Sequence, residues 1–136
     1  MQKEKIQQNK DFNKWNDKKI FINQVKDLPF FHEREIWFCS LGLNVGFEQD
    51  GNGIEFQRPV IILKKFNNNI FWALPISKTK RRGKYYFVFN FENDIESVAI
   101  LSQIKLLDVH RLSRKIGDIS DFDYRSLIKK LKALLP

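Results

Sequence analysis

Two apolar runs, residues 59–65 (PVIILKK) and 70–76 (IFWALPI), stand on either side of Asn67-Asn68-Asn69. Short apolar runs bounded by a turn signal read as two buried strands of a β-hairpin, and this pairing constrains the chain more than any other feature. Pro59 suits the first position of its strand, where a missing N–H does least harm. Further strand patterns flank the hairpin. Residues 35–41 (EIWFCSL) form one run, and residues 85–91 alternate with Tyr85, Phe87, Phe89 and Phe91 on one face. Residues 97–109 (SVAILSQIKLLDV) hold one bent strand or two short ones. Residues 42–57 contain Gly42, Gly46, Gly51 and Gly53 with little periodicity, so they read as a long loop. Loops of that length inside a small domain are usually functional or mobile.

The C-terminus carries the clearest helix. Ser120 is placed as N-cap, with Asp123 three residues on giving an S-x-x-D capping box. Ile119 and Tyr124 are spaced for a hydrophobic staple, and Tyr124, Leu127, Ile128, Leu131 and Leu134 or Leu135 form the apolar stripe. Near the other end Phe12, Trp15, Lys19 and Ile22 recur at helical spacing behind Asp11 as N-cap, which predicts a short helix ending before Leu28-Pro29. That helix packs on the body, contacts a partner or stays half ordered; its pattern does not choose. The expected organisation is a polar helical extension over residues 1–28 and one domain over 29–136. The expected fold is mainly β with helices (α+β): a small antiparallel barrel with helices packed outside.

Charge narrows the function. The 136 residues hold 24 Lys+Arg against 16 Asp+Glu, a net +8, which favours a polyanionic partner, nucleic acid first. From Arg58 to Phe91 there are eight basic residues and no acidic one, interleaved with Phe66, Phe71, Trp72, Tyr85, Tyr86, Phe87, Phe89 and Phe91. Cations neutralise phosphates while rings stack on unpaired bases. The same stretch also suits core aromatics with a solvated basic edge, and residues 78–84 (KTKRRGK) also suit a merely solubilising loop. One cysteine, Cys39, excludes an internal disulfide; with only His32 and His110 beside it, a structural zinc site is not expected. No run is long enough to span a bilayer, and the first residues lack a signal-peptide core, so a soluble cytoplasmic protein without membrane contact is expected.

Three pieces in order resemble the MazF/PemK family, the toxins of toxin–antitoxin pairs. Glu35-Ile36-Trp37 leads through Gly46-Phe47-Glu48-Gln49-Asp50-Gly51 to Arg58-Pro59-Val60, similar to the family's strand, G-x-E-Q-x-G and R-P-[AV]. Leu74-Pro75-Ile76-Ser77 is similar to its V-P-[IL]-[TS], and Leu101-Ser102-Gln103-Ile104-Lys105 followed by Arg111-Leu112 to its [LV]-x-Q-[IV]-[RK] and R-L. The resemblance covers about residues 33–135. It implies an SH3-like barrel of the MazF/CcdB type that dimerises and cuts single-stranded RNA, mRNA among it, at short motifs without metal or cofactor. It also implies silencing by an acidic antitoxin polypeptide lying over the RNA site. The family's active-site arginine falls on Arg58, its hydroxyl residue on Ser77 and its acidic loop residue on Glu48. The loop from Glu48 to Arg58 is longer than in compact members. Position 77 is serine where threonine is common, and Lys78 replaces a frequent small hydroxyl residue.

Metal-free RNA cleavage needs the 2′-hydroxyl deprotonated and the extra charge on the phosphorane oxygens stabilised. An arginine fork suits the second task, whereas it is a poor proton acceptor. Arg58 is therefore read as the charge stabiliser and Ser77 as a neutral donor to phosphate. Glu48 either accepts the 2′-hydroxyl proton or holds Arg58 in place. Lys78, Lys80, Arg81, Arg82 and Lys84 are expected to guide the RNA. The plainer readings are an Arg58 surface pair with Glu48 or Glu55, a Ser77 that closes a strand, a structural Gln103 and a buried, unreactive Cys39. A His32/His110 acid–base pair belongs to no part of the pattern. Two other functions suit the same chain: gyrase inhibition of the CcdB kind, and noncatalytic binding of nucleic acid on an SH3-like module.

Overall fold

The computed structural model describes residues 9–92 and 95–136. A helix, α1 (Phe12–Asn23), precedes strands β1 (Glu35–Ser40), β2 (Gln57–Lys65), β3 (Ile70–Ser77), β4 (Tyr86–Glu92), β5 (Ile95–Ile100), β6 (Lys105–Asp108) and β7 (Leu112–Asp118), and α2 (Asp121–Lys132) closes the chain. Hydrogen-bonded order along the sheet is β4-β5-β3-β2-β1-β7, antiparallel throughout. The free side of β3 is shared: β6 pairs its first half from Ile70 to Ala73, and β5 pairs its end at Ile76 and Ser77. Residues 97–109 are therefore two short strands, separated by a 3-10 turn at Leu101–Gln103.

The hairpin forms at the expected turn, where the Asn67 side chain accepts from the backbone N–H groups of Asn69 and Ile70. Its strands read as continuous apolar runs because both faces are covered. Val60, Ile62, Phe71 and Ala73 join Phe31, Trp37 and Cys39 in one core. Ile61, Leu63, Leu74 and Ile76 face the other way and meet Ile36, Phe89, Ala99 and the apolar stripe of α2. Phe89 is buried in that second core, with Phe87 and Phe91 packed half-buried against it and Phe91 also lining a groove shared with Arg58. The ends of the sheet, β4 and β7, meet through side chains: the Phe91 ring lies 2.9 Å from where a Cβ on Gly117 would stand, so only glycine admits this approach.

The two helix caps lie where the sequence places them. Asp11 accepts from the Lys14 N–H and the Ser120 hydroxyl from the Asp123 N–H, each at 3.1 Å. The apolar stripe runs past the end of α2 to Leu134; Leu135 is exposed. Two features differ from expectation. Pro59 is the third residue of β2 and pairs with Phe38 on β1, because the strand extends back to Gln57. Strand β7 carries no strand signal in sequence: Ser113, Arg114 and Lys115 are exposed, as the edge of a sheet allows.

Candidate active site

Arg58 leaves β2 at the mouth of the long loop, opposite Cys39 of β1. Its Nε donates to the Asp50 carbonyl at 2.8 Å and its Nη1 to the Ile76 carbonyl at 3.2 Å. The Gln49 amide oxygen, turned toward it, accepts from Nη2 at 2.8 Å. The Ile76 contact follows from the two residues after the arginine. Val60 pairs with Pro75, so the next step along the register sets Pro59 opposite Ile76, and a proline has no N–H to offer that carbonyl. The guanidinium takes it instead. A guanidinium has five N–H donors; with these three engaged, one remains on each terminal nitrogen. Partial burial draws the Arg58 pKa below its ordinary value; nearby Asp50 opposes this and Arg81 adds to it.

Arg58 lines an open groove of about 1180 Å³ together with Ser77, Lys78, Thr79, Arg114 and Lys115. The Ser77 oxygen accepts from the Thr79 N–H at 3.1 Å, which leaves the hydroxyl proton available to a ligand oxygen. Among the described residues no histidine lines the groove to activate Ser77 as a nucleophile. Glu55 is its one lining carboxylate among the described residues, and Lys18 of α1 pairs with it. Arg58 also lines a smaller pocket of about 340 Å³ with Glu48, Gln49, Phe47, Asn52 and Lys10. Glu48 lies there, and its carboxylate caps the loop by accepting from the Val45 N–H at 3.0 Å. Arg58 and Ser77 thus share the groove, while Glu48 stands on the other side of Arg58 and makes no bond to it.

The basic loop divides by environment. Lys78 lines the groove and, like Lys80, forms no ion pair among the described residues. Arg82 pairs with Glu96 at 3.0 Å, Arg81 leans on the Tyr86 ring and hydroxyl, and Lys84 sits over the Tyr85 ring. Gln103 is structural: its amide accepts from the Gln49 N–H and donates to the Phe47 carbonyl, tying the long loop to the 3-10 turn. His32 and His110 pair with their local carboxylates Glu35 and Asp108. Cys39 is fully buried, and that burial pushes its thiol up to about 12, so it is a packing residue. Arg114, with its guanidinium over the Phe38 ring, is a groove cation that sequence reading missed, because the strand carrying it was not recognised.

Arg58 and Ser77, the arginine and hydroxyl positions of the MazF/PemK resemblance, thus line one groove on a seven-stranded antiparallel sheet. The model of the PemK-like, MazF-like toxins of type II toxin–antitoxin systems matches residues 32–135. The chain belongs to this family. Solved MazF-like structures share the fold. The chain is similar to MazF from Deinococcus radiodurans, at 16% identity over 80% of this chain and 97% of that one, with a TM-score of 0.62. It is likewise similar to the Mycobacterium tuberculosis toxin MazF-mt6, at 19% identity over 74% and 94%, with a TM-score of 0.57. An endoribonuclease in complex with its cognate antitoxin, from a mycobacterial species, matches at 14% identity over 79% and 97%, with a TM-score of 0.58. No curated protein sequence matches the chain. In this MazF-like chain α1 lies outside the family-matched region. No described helix is long and apolar enough to cross a membrane.

Proposed function

We propose that this MazF-like protein is a metal-independent endoribonuclease, the toxin of a type II pair, that cuts single-stranded RNA at short motifs. The supporting observation is the Arg58 guanidinium, held by the carbonyls of Asp50 and Ile76 in a groove that also holds Ser77 and Lys78. Carbonyl partners orient the fork without cancelling its charge. The two remaining N–H groups then face a phosphate whose nonbridging oxygens gain charge as the 2′-hydroxyl attacks. Ser77 donates to one of those oxygens. Departure of the 5′-oxygen gives a 2′,3′-cyclic phosphate and a 5′-hydroxyl end. The proton acceptor is a carboxylate, either Glu48 beside Arg58 or Glu55 in the groove. Lys78, Lys80, Arg81, Arg82 and Lys84, with Arg114, draw the RNA in. An acidic antitoxin segment covers the same cationic groove, and the toxin acts as a homodimer.

The test is single-turnover cleavage of a long single-stranded RNA in excess EDTA. Arg58→Ala is expected to lower the rate about 10²–10³-fold while RNA is still bound. Glu48→Gln and Glu55→Gln in the same assay identify the base by loss of the saturating rate. Cleavage unaffected by Arg58→Ala removes the site assignment. Binding without cutting by the wild type replaces the nuclease with a noncatalytic module, and neither binding nor cutting redirects the search to a protein target such as gyrase.

A further inference from the structure

The described part of the polar extension, residues 9–28, touches the loop that delivers Arg58. Lys10, just before α1, is among the least exposed lysines, with its side chain 9% accessible. Its ammonium meets the Asp50 carboxylate at 2.8 Å and the carbonyls of Asn44 at 2.7 Å and Gly46 at 3.0 Å. All three belong to the loop that delivers Arg58. Asp50 is the decisive partner, since its carbonyl holds the Arg58 Nε while its carboxylate faces Lys10. The other Asp50 oxygen accepts from the Asn44 N–H at 2.6 Å. The helix behind Lys10 grips the same loop. Trp15 fills the space over Gly42, where a Cβ would stand 2.0 Å from its ring, and lies 5.6 Å from the Phe56 ring. Phe56 holds a left-handed φ of 53°, a conformation that persists in a non-glycine residue only where its surroundings enforce it.

We infer that Lys10 is a positioning residue for Arg58: by taking the Asp50 carboxylate, it makes Asp50 present its carbonyl, and not its negative charge, to the guanidinium. The inference rests on the nuclease reading of the groove and extends it to a residue outside the family-matched segment, residues 32–135. Without the ammonium, a carboxylate already close enough to influence Arg58 loses its cation and keeps only the Asn44 N–H. It turns to the guanidinium, occupies the N–H groups meant for phosphate and offsets their charge. Small displacements of a group that must meet a transition state have large effects on rate.

The test uses the full chain with Lys10→Met, which keeps the length and removes the charge, alone and combined with Asp50→Asn, which keeps an acceptor and removes the competing charge. Lys10→Met is expected to lower the saturating single-turnover rate about 10-fold or more, with affinity for a 2′-deoxy substrate analogue changed less than about threefold. Asp50→Asn on that background is expected to restore most of the loss, which a merely structural lysine does not predict. An unchanged rate in Lys10→Met overturns the inference. So does a loss confined to affinity, or a double variant no faster than Lys10→Met. A readout independent of cleavage is the Arg58 Nε–Hε resonance, assigned by its disappearance in Arg58→Lys. It is expected to move in Lys10→Met and to return in the double variant, and an unmoved resonance overturns the inference. A wild-type protein that cuts no RNA defeats the nuclease reading, and the resonance still decides the role of Lys10.

Discussion

The two helices are equal in length and opposite in how they are held. Helix α2 binds as a face: Leu127 is fully buried, and Tyr124, Ile128, Leu131 and Leu134 continue its contact with the core. Asp121 and Asp123 lie in its first turn and Lys129, Lys130 and Lys132 in its last, which suits the helix dipole at both ends. Helix α1 has no acidic residue in its first turn and no basic one in its last, and buries only Trp15 and Ile22 while Phe12, Ile20 and Phe21 stay exposed. It is held at points, and one of them, Trp15, lies against Gly42 and Phe56 of the loop beside Arg58 and under the Arg111 guanidinium. One helix packs on the core of the sheet; the other touches the loop that delivers Arg58.

The largest expected difference between them comes from truncating one buried residue in each. Leu127→Ala should cost about 2–5 kcal/mol of global stability, read by denaturant unfolding, with the cleavage rate per folded molecule retained. Trp15→Ala removes a larger side chain yet should leave the unfolding midpoint nearly in place. Its effect should appear as faster amide exchange across residues 12–23 and 42–57, with the β2 and β3 amides still protected. A global loss in Trp15→Ala as large as that in Leu127→Ala breaks the distinction between face and point attachment.

The contrast also explains what could be read from sequence. Helix α2, its cap, its staple and the β2–β3 hairpin were legible because each is specified by neighbours in sequence: a capping residue three positions from its partner, a stripe at helical spacing, two apolar runs across a turn. Arg58 and Ser77 could be brought together because the strands that carry them are hairpin partners. The attachment of Lys10 to Asp50 has no local pattern, since the two are joined only by the fold. Strand β7 was illegible for a related reason. Its exposed Arg114 and Lys115 serve the groove and the sheet edge, so the apolar alternation that marks a strand is reduced to Leu112 and Ile116. Pro59 lies inside β2 and not at its start, because the pairing with β1 extends the strand back to Gln57. Its missing N–H does its work inside the strand, opposite the carbonyl that Arg58 uses.

A medium-sized effect sharpens the comparison from the side of the sheet that leads into α2. Glu35, nearly buried on β1, accepts from Trp37 Nε1 at 3.0 Å and the His32 N–H at 2.8 Å, and pairs with Lys115 of β7 at 3.2 Å. Burial alone would raise its pKa; the bonds from Trp37, His32 and Lys115 outweigh burial and bring it below the ordinary 4.5. A carboxylate with a folded-state pKa below its unfolded value contributes stability above that unfolded value and loses it as pH falls through the folded one. Glu35→Gln should therefore cost about 2 kcal/mol at pH 7, and the gap to wild type should narrow below about pH 4. A gap independent of pH removes the charge from the account and leaves only packing. The amides of β7 and the start of α2 should lose protection together, because the Ile119 N–H donates to the Arg34 carbonyl one residue before Glu35.

The smallest difference is the most discriminating, because the two caps share the same geometry. Asp11 and Ser120 each accept one N–H at 3.1 Å, so replacing either with alanine removes a similar local contribution of about 1 kcal/mol. Only the coupling to the rest of the molecule differs. In α2 the first turn is continuous with the core through Ile119 and Tyr124, whose hydroxyl donates to the Leu63 carbonyl at 2.6 Å, so Ser120→Ala should appear almost in full in global unfolding. In α1 the first turn is followed by Trp15, which rests on the loop, so Asp11→Ala should fray α1 without moving the global midpoint. It should, however, lower the cleavage rate severalfold, because fraying begins one residue from Lys10. Equal global costs for the two alanine variants mean that α1 is part of the folding unit. A frayed α1 with an unaltered rate means that Lys10 keeps its place on Asp50 without the helix.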